Sequence, residues 1–183
     1  MPIMHRFAPV WDVLKVVAIV FIVTFIVRVF LFQPFYIEGS SMEPDFHNGE
    51  YILIEKVAYR FKLPARGDVV VFRYPNNPSL NYIKRLIGLP GETVRIEKGQ
   101  VSINGNALTE SYLASGDKTM VGSSADPYEI TLGKDQFFVL GDNRQHSSDS
   151  RDWGPLDRRF IIGRSTIVIY PRVDFHAIAS PSY

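Results

Sequence analysis

The sequence predicts a mainly β chain, with a single N-terminal transmembrane helix followed by an all-β domain of short strands. Three observations carry this. Nearly every residue from Val13 to Phe32 is aliphatic or aromatic, a run of about 20 residues that as a helix matches the roughly 30 Å of a bilayer core. Beyond it, short runs of Tyr, Ile, Leu and Val recur between Gly, Pro and Asn, the pattern of strands and turns. The aromatic fraction of 13% and the twelve prolines favour a loop-rich β domain over a helical bundle. A length of 183 residues leaves room for one such domain and an appendage. The chain divides into a tail at 1–12, an anchor at 13–32 and a β-rich domain at 33–183, with a loop-rich insertion at about 106–135.

The anchor is justified first. In lipid the backbone must satisfy its own hydrogen bonds, and for a lone segment only a helix does so. Lys15 and Arg28 lie near its two ends, where long side chains snorkel to the headgroups. A cleaved secretory signal has a shorter apolar core followed by small residues, whereas Gln33-Pro34-Phe35-Tyr36 follow Phe32 here. Arg6 and Lys15 on one side nearly balance Arg28 on the other, so charge alone decides orientation by little.

Strands are predicted at Phe35 to Ile37 and within Glu50 to Tyr59. Arg66-Gly67-Asp68 is a turn that launches Val69-Val70-Val71-Phe72, an apolar run short enough for a buried strand. Tyr74 to Pro78 turns again into Asn81 to Ile87, a core strand carrying one awkward lysine. Strands resume at Thr93 to Glu97 and at Val101 to Ile103, where Asn104-Gly105 predicts a tight primed turn. Ser111 to Pro127 has little periodicity and reads as an exposed loop, the least ordered part of the domain. Gln136 to Leu140 and Arg164 to Tyr170 are strands flanking a long polar loop, Gly141 to Gly154.

Charge narrows the partners. Lys plus Arg (20) balances Asp plus Glu (19), so there is no basic field to collect nucleic acid. The absence of cysteine excludes disulfides, thiolate metal sites and Cys nucleophiles. The Asp and Asn spacing of the polar loop does not match a calcium loop, and no metal or cofactor is predicted. No pattern fixes an oligomeric state.

Three blocks carry chemistry in combination. The first is Gly39-Ser40-Ser41-Met42-Glu43-Pro44, which alone is ordinary turn chemistry. The second is Tyr82-Ile83-Lys84-Arg85 with Gly88-Leu89-Pro90-Gly91, in which Lys84 taken alone would be an outward edge-strand lysine. The third runs from Gly141-Asp142-Asn143-Arg144 to Asp149-Ser150-Arg151 and alone would be a solvated turn. In this order behind an apolar anchor, they resemble the type I signal peptidases of the bacterial Ser/Lys class, from the anchor through Pro171.

The resemblance implies a signal-peptidase-like β fold with Ser41 as nucleophile and Lys84 as general base. Burial between Ile83 and Leu86-Ile87 offers the means of lowering the lysine pKa by the roughly 3 units that base chemistry near neutral pH requires. Ser147 would hydrogen-bond and orient the lysine, and Asp149 and Arg151 would form a supporting ion pair. Asp142, Asn143 and Arg144 would shape the loop. Phe35, Ile37, Val71 and Ile83 would line shallow pockets for small side chains, with Gly39, Met42 and Tyr82 nearby, or serve as plain core. Some relatives carry a serine donor to the oxyanion two residues before the nucleophile. Gly39 occupies that place here, leaving the Ser41 N–H as the donor.

The implied substrate is the signal peptide of an exported preprotein, cut after an Ala-x-Ala-like site, and the implied partner is the bilayer of the bacterial inner membrane. The chain would cross once, N-terminus inside, with the catalytic domain on the extracytoplasmic face. Ser41 follows Phe32 by nine residues, so an extended link confines it to within about 30 Å of the bilayer core. Two rivals remain. A self-cleaving Ser/Lys protease of the repressor type is cytosolic, which the anchor opposes, and an anchored β binding module would not need both Ser41 and Lys84. A Ser-His-Asp mechanism would have to use His146, which reads as an exposed loop residue, and His5, His47 and His176 have no evident orienting partner.

Overall fold

The computed structural model describes residues 8–26, 32–57, 59, 62–113, 118–121, 127–171 and 176–177. Helix α1 spans Ala8–Ile26. It starts five residues before the predicted anchor, and Phe32, the predicted end, already belongs to a strand. Lys15 donates to Asp12 at 3.1 Å, both side chains being exposed, while Arg28 lies outside the described residues. Side chains from Val10 to Phe25 face outward. Among the described residues, no helix is long and apolar enough to cross a membrane.

Among the described residues twelve strands follow: β1 (Phe32–Tyr36), β2 (Tyr51–Glu55), β3 (Val69–Tyr74), β4 (Asn77–Gly88), β5 (Thr93–Glu97), β6 (Gln100–Ile103), β7 (Asn106–Ala107), β8 (Tyr128–Thr131), β9 (Gln136–Leu140), β10 (Leu156–Asp157), β11 (Ile161–Tyr170) and β12 (His176–Ala177). They form two sheets. The larger has the order β1-β2-β11-β3-β4-β9-β10 with β12 on β11, and the smaller is β7-β6-β5-β8. All pairings are antiparallel. Asn104 and Gly105 both adopt positive φ, 51° and 82°, in the primed turn expected between β6 and β7.

Among the described residues the core falls into three clusters. Strand β3 explains why. Val69 and Val71 point into a cluster with Ile37, Met42, Phe46 and Ile52, while Val70 and Phe72 point into another with Leu86, Phe137 and Val139. Covered on both faces, the strand reads as an unbroken apolar run. The third cluster, with Ile87, Val94, Ile96 and Phe138 at its centre, joins the two sheets.

Two predicted loops carry more structure than their sequences suggest. The supposed insertion includes β7 and β8, and within Ser111–Pro127 the residues Tyr112 and Val121 pack on the third cluster and Thr119 is buried. Residues 114–117 and 122–126 of that segment lie outside the described residues. The Gly141–Gly154 loop ends in a short helix, α2 (Ser150–Trp153), whose first turn is capped by the Asp149 carboxylate accepting from the Arg151 N–H.

Candidate active site

Ser41 sits on the turn that leaves β1. Next to it Met42 is only 1% exposed and packs with Ile37 and Phe46, so the turn is nailed to the core by the residue after Ser41. Met42 is thus core, in one cluster with Ile37 and Val71. Two bonds from Asn143 clasp the turn from the far loop: its N–H donates to the Ser41 carbonyl and its Nδ2 to the Ser40 carbonyl, each at 3.1 Å. Gly39 has φ of 98°, a left-handed conformation that favours glycine, and its N–H donates to Asn48 Oδ1 at 2.8 Å.

Lys84 lies on β4, between β3 and β9, and is not at a sheet edge. The side chain is 4% exposed. Its Nζ lies 2.8 Å from Ser41 Oγ and 2.9 Å from the carbonyl of Ile83. Burial lowers its pKa to about 8, against an upward pull from Asp149 and Asp142 and with a smaller downward push from Arg151. The structure thus brings together the two groups the first two blocks supply.

The third block surrounds them. Arg151 grips Asp149 with two donors, Nε and a terminal nitrogen, each at 2.8 Å, and the second oxygen of Asp149 accepts from the Gly141 N–H at 3.0 Å. A Cβ on Gly141 would collide with the Ser147 side chain and the Ser41 carbonyl, so this position requires glycine for close approach. Ser147 Oγ is buried with no hydrogen-bond partner among the described residues. The bond to Lys84 implied for it is therefore not made in this structure. Asp142 accepts from Arg85 at 2.8 and 2.6 Å, both side chains fully buried. Arg144 donates to the Gly141 carbonyl at 3.0 Å. His146 is exposed, its Nδ1 3.3 Å from Asn143 Oδ1.

A cavity of about 510 Å³ opens beside the pair. Phe35, Ile37, Gly39, Val71, Tyr82 and Ile83 all line it. Tyr36, Leu80 and His146, which the sequence did not assign to it, line it as well.

Several partners were missed. Arg85 is fully buried and also donates to Asp45 at 2.7 Å and to the Gly67 carbonyl at 3.1 Å. Burial pulls its pKa down, but Asp142 and Asp45 outweigh this and hold it charged. Glu110, Tyr112 and Thr119 reach Arg144 from the supposed loop. A signal existed for Arg85: a cation next to Lys84 in a strand buried on both faces demands a carboxylate.

Residues 10–170 match the family model described as signal peptidase, peptidase S26. A protein named signal peptidase I from Leptolyngbya laminosa is 38% identical over 90% of this chain and 81% of its own length. Signal peptidase I T of Bacillus subtilis is 36% identical over 86% of this chain and 83% of its own. A solved signal peptidase I from Enterococcus faecalis is 32% identical with a TM-score of 0.48, covering 56% of this chain and 97% of that one. The chain therefore belongs to the signal peptidase family, peptidase S26, and is a serine endopeptidase.

Proposed function

We propose that this chain removes signal peptides from exported preproteins, with Ser41 as nucleophile and Lys84 as general base. The observation that carries the reading is the 2.8 Å approach of Lys84 Nζ to Ser41 Oγ in a site dry enough to hold the amine pKa near 8. Neutral Lys84 accepts the hydroxyl proton as Oγ attacks the scissile carbonyl carbon. The oxyanion is stabilised by the Ser41 N–H, which has no acceptor among the described residues. The resulting ammonium protonates the leaving amine, and the neutral amine then activates the water that hydrolyses the acyl-enzyme.

Substrate and location rest on the names of the relatives and on the shape of the cleft. Among the described residues strand β1 ends the large sheet with one edge unpaired, so an extended signal-peptide segment can add to it as a strand. Apolar walls from Phe35, Ile37, Val71 and Ile83 suit small side chains and support an Ala-x-Ala-like preference. The exposed apolar side chains of α1, with the apolar sequence that continues to Phe32, support a single bilayer anchor in the bacterial inner membrane. The catalytic domain then lies outside the cytoplasm, and anchor and substrate share one interface, raising their effective concentration.

The test is cleavage of a preprotein in detergent micelles by the wild type and by Lys84→Ala, with mass spectrometry of the product termini. Cleavage after a small residue at the end of the signal peptide, lost in the variant, is the expected result. A folded wild type that cuts nothing would replace this reading with an anchored binding module.

A further inference from the structure

The segment that leaves the small sheet after β7 returns to the active-site loop, where it meets Arg144 and Arg151, and to Arg85, the residue after Lys84. Glu110 receives both terminal nitrogens of Arg144, at 2.5 and 3.0 Å, with the arginine side chain fully buried and the glutamate 8% exposed. Arg144 also donates to Thr119 Oγ1, and Arg151 donates to the Met120 carbonyl at 2.8 Å. The Tyr112 hydroxyl donates to Glu110 at 2.6 Å, and its ring lies 4.2 Å from the guanidinium of Arg85, the residue after Lys84. On its other side the segment is fixed to the small sheet, through Leu108, Tyr112 and Val121 in the shared core and through Thr119 N–H to the Gly99 carbonyl at 3.0 Å.

We infer that Glu110 and Tyr112 are positioning residues of the hydrolytic site. Glu110 acts through Arg144 on Gly141, against which the Ser41 carbonyl packs, and Tyr112 acts through Arg85 on the strand that carries Lys84. The inference rests on the Ser41–Lys84 reading and extends it: the small sheet is the brace that keeps the amine on the hydroxyl and away from water. A buried, hydrogen-bonded fork and a stacked ring suit this task because neither yields to small displacements. Misplacement of about 1 Å can cost about 100-fold in rate.

The test uses the full chain in micelles with a preprotein substrate. Tyr112→Leu, Tyr112→Phe, Glu110→Gln and Glu110→Asp are compared for kcat, KM, the pH profile of kcat/KM, and melting temperature. Tyr112→Leu is expected to lower kcat about tenfold or more with KM within about twofold, the mark of a lost transition-state interaction. Its rising pH limb should move up by about half a unit or more as water reaches Lys84, while Asp142, Asp149 and Arg151, the charges acting on the amine, stay in place. Tyr112→Phe keeps the ring on Arg85 and should recover most of the rate. Glu110→Asp should recover more than Glu110→Gln, and if the glutamine variant does not fold, the tyrosine pair decides. A folded Tyr112→Leu with wild-type kcat and pH limb overturns the inference, as does a loss that disappears on assay well below its melting temperature. An active Lys84→Ala removes the base reading and this inference together. A dead Lys84→Ala beside a wild-type-like Tyr112→Leu removes the inference alone.

Discussion

Two arginines, one in each sheet, have similar ion pairs and opposite meanings. Arg95 on β5 reaches Glu97 at 3.1 Å and Glu129 at 2.9 Å across the small sheet, with all three side chains 39–52% exposed. Arg85 on β4 reaches Asp142 at 2.6 Å and Asp45 at 2.7 Å from a fully buried position. Water screens the first set and keeps its members solvated whether or not they pair. Arg85 and Asp142 are both fully buried and have no such alternative, so that pairing is obligatory, while Asp45 meets the same guanidinium from a side chain that is 39% exposed. Charge in the small sheet decorates a surface, whereas charge at the seam between the sheets orders the site.

The strongest break is at the catalytic pair itself. Ser41→Ala and Lys84→Ala should each lower kcat by at least about 1,000-fold with unchanged circular dichroism, since nucleophile and base fail as a unit. Gly141→Ala comes next. Its Cβ meets Ser147 and the Ser41 carbonyl, so preprotein cleavage should fall roughly 100-fold while the fold persists.

At the seam, Asp142→Ala leaves the Arg85 charge buried and should cost about 3–5 kcal/mol in urea denaturation. Lys84 supplies a pH signature. Its folded pKa near 8 lies below the ordinary value of 10.5, so the unfolded chain binds the proton more tightly between them. Stability from this group therefore rises with pH across that window, by about 3 kcal/mol, and Lys84→Met should abolish the rise. Activity should climb through pH 8 as the amine loses its proton, and a flat profile from pH 6 to 9 would sink the base assignment. The smallest effect sharpens the comparison from the other side: Arg95→Ala should move the melting temperature by no more than about 2 °C.

How far the sequence reaches follows from the range of each interaction. Ser41 and Lys84 were singled out only because three blocks, each ordinary alone, follow one another in a distinctive order, whereas β3 was legible because four consecutive apolar residues leave few alternatives. The primed turn at Asn104-Gly105 was readable from two residues. The partners of Arg85 were not, since Asp45 and Asp142 lie 40 and 57 residues away and only the packed sheets bring them together. Glu110 and Tyr112 were hidden for a related reason. Their segment lacks periodicity because it packs one side chain at a time against a loop. Ser147 shows the opposite limit: its place in the motif predicts a bond to Lys84 that the packed site does not make.

The clasp of Asn143 on Ser40 joins residues 103 positions apart. At a synthesis rate of about 5–20 residues per second, the Ser40-Ser41 turn leaves the ribosome roughly 5–20 s before the residue that clasps it. Throughout that interval the hydroxyl belongs to an unfinished chain with no assembled cleft. Peptide hydrolysis is thereby withheld from this polypeptide until most of its length has been made.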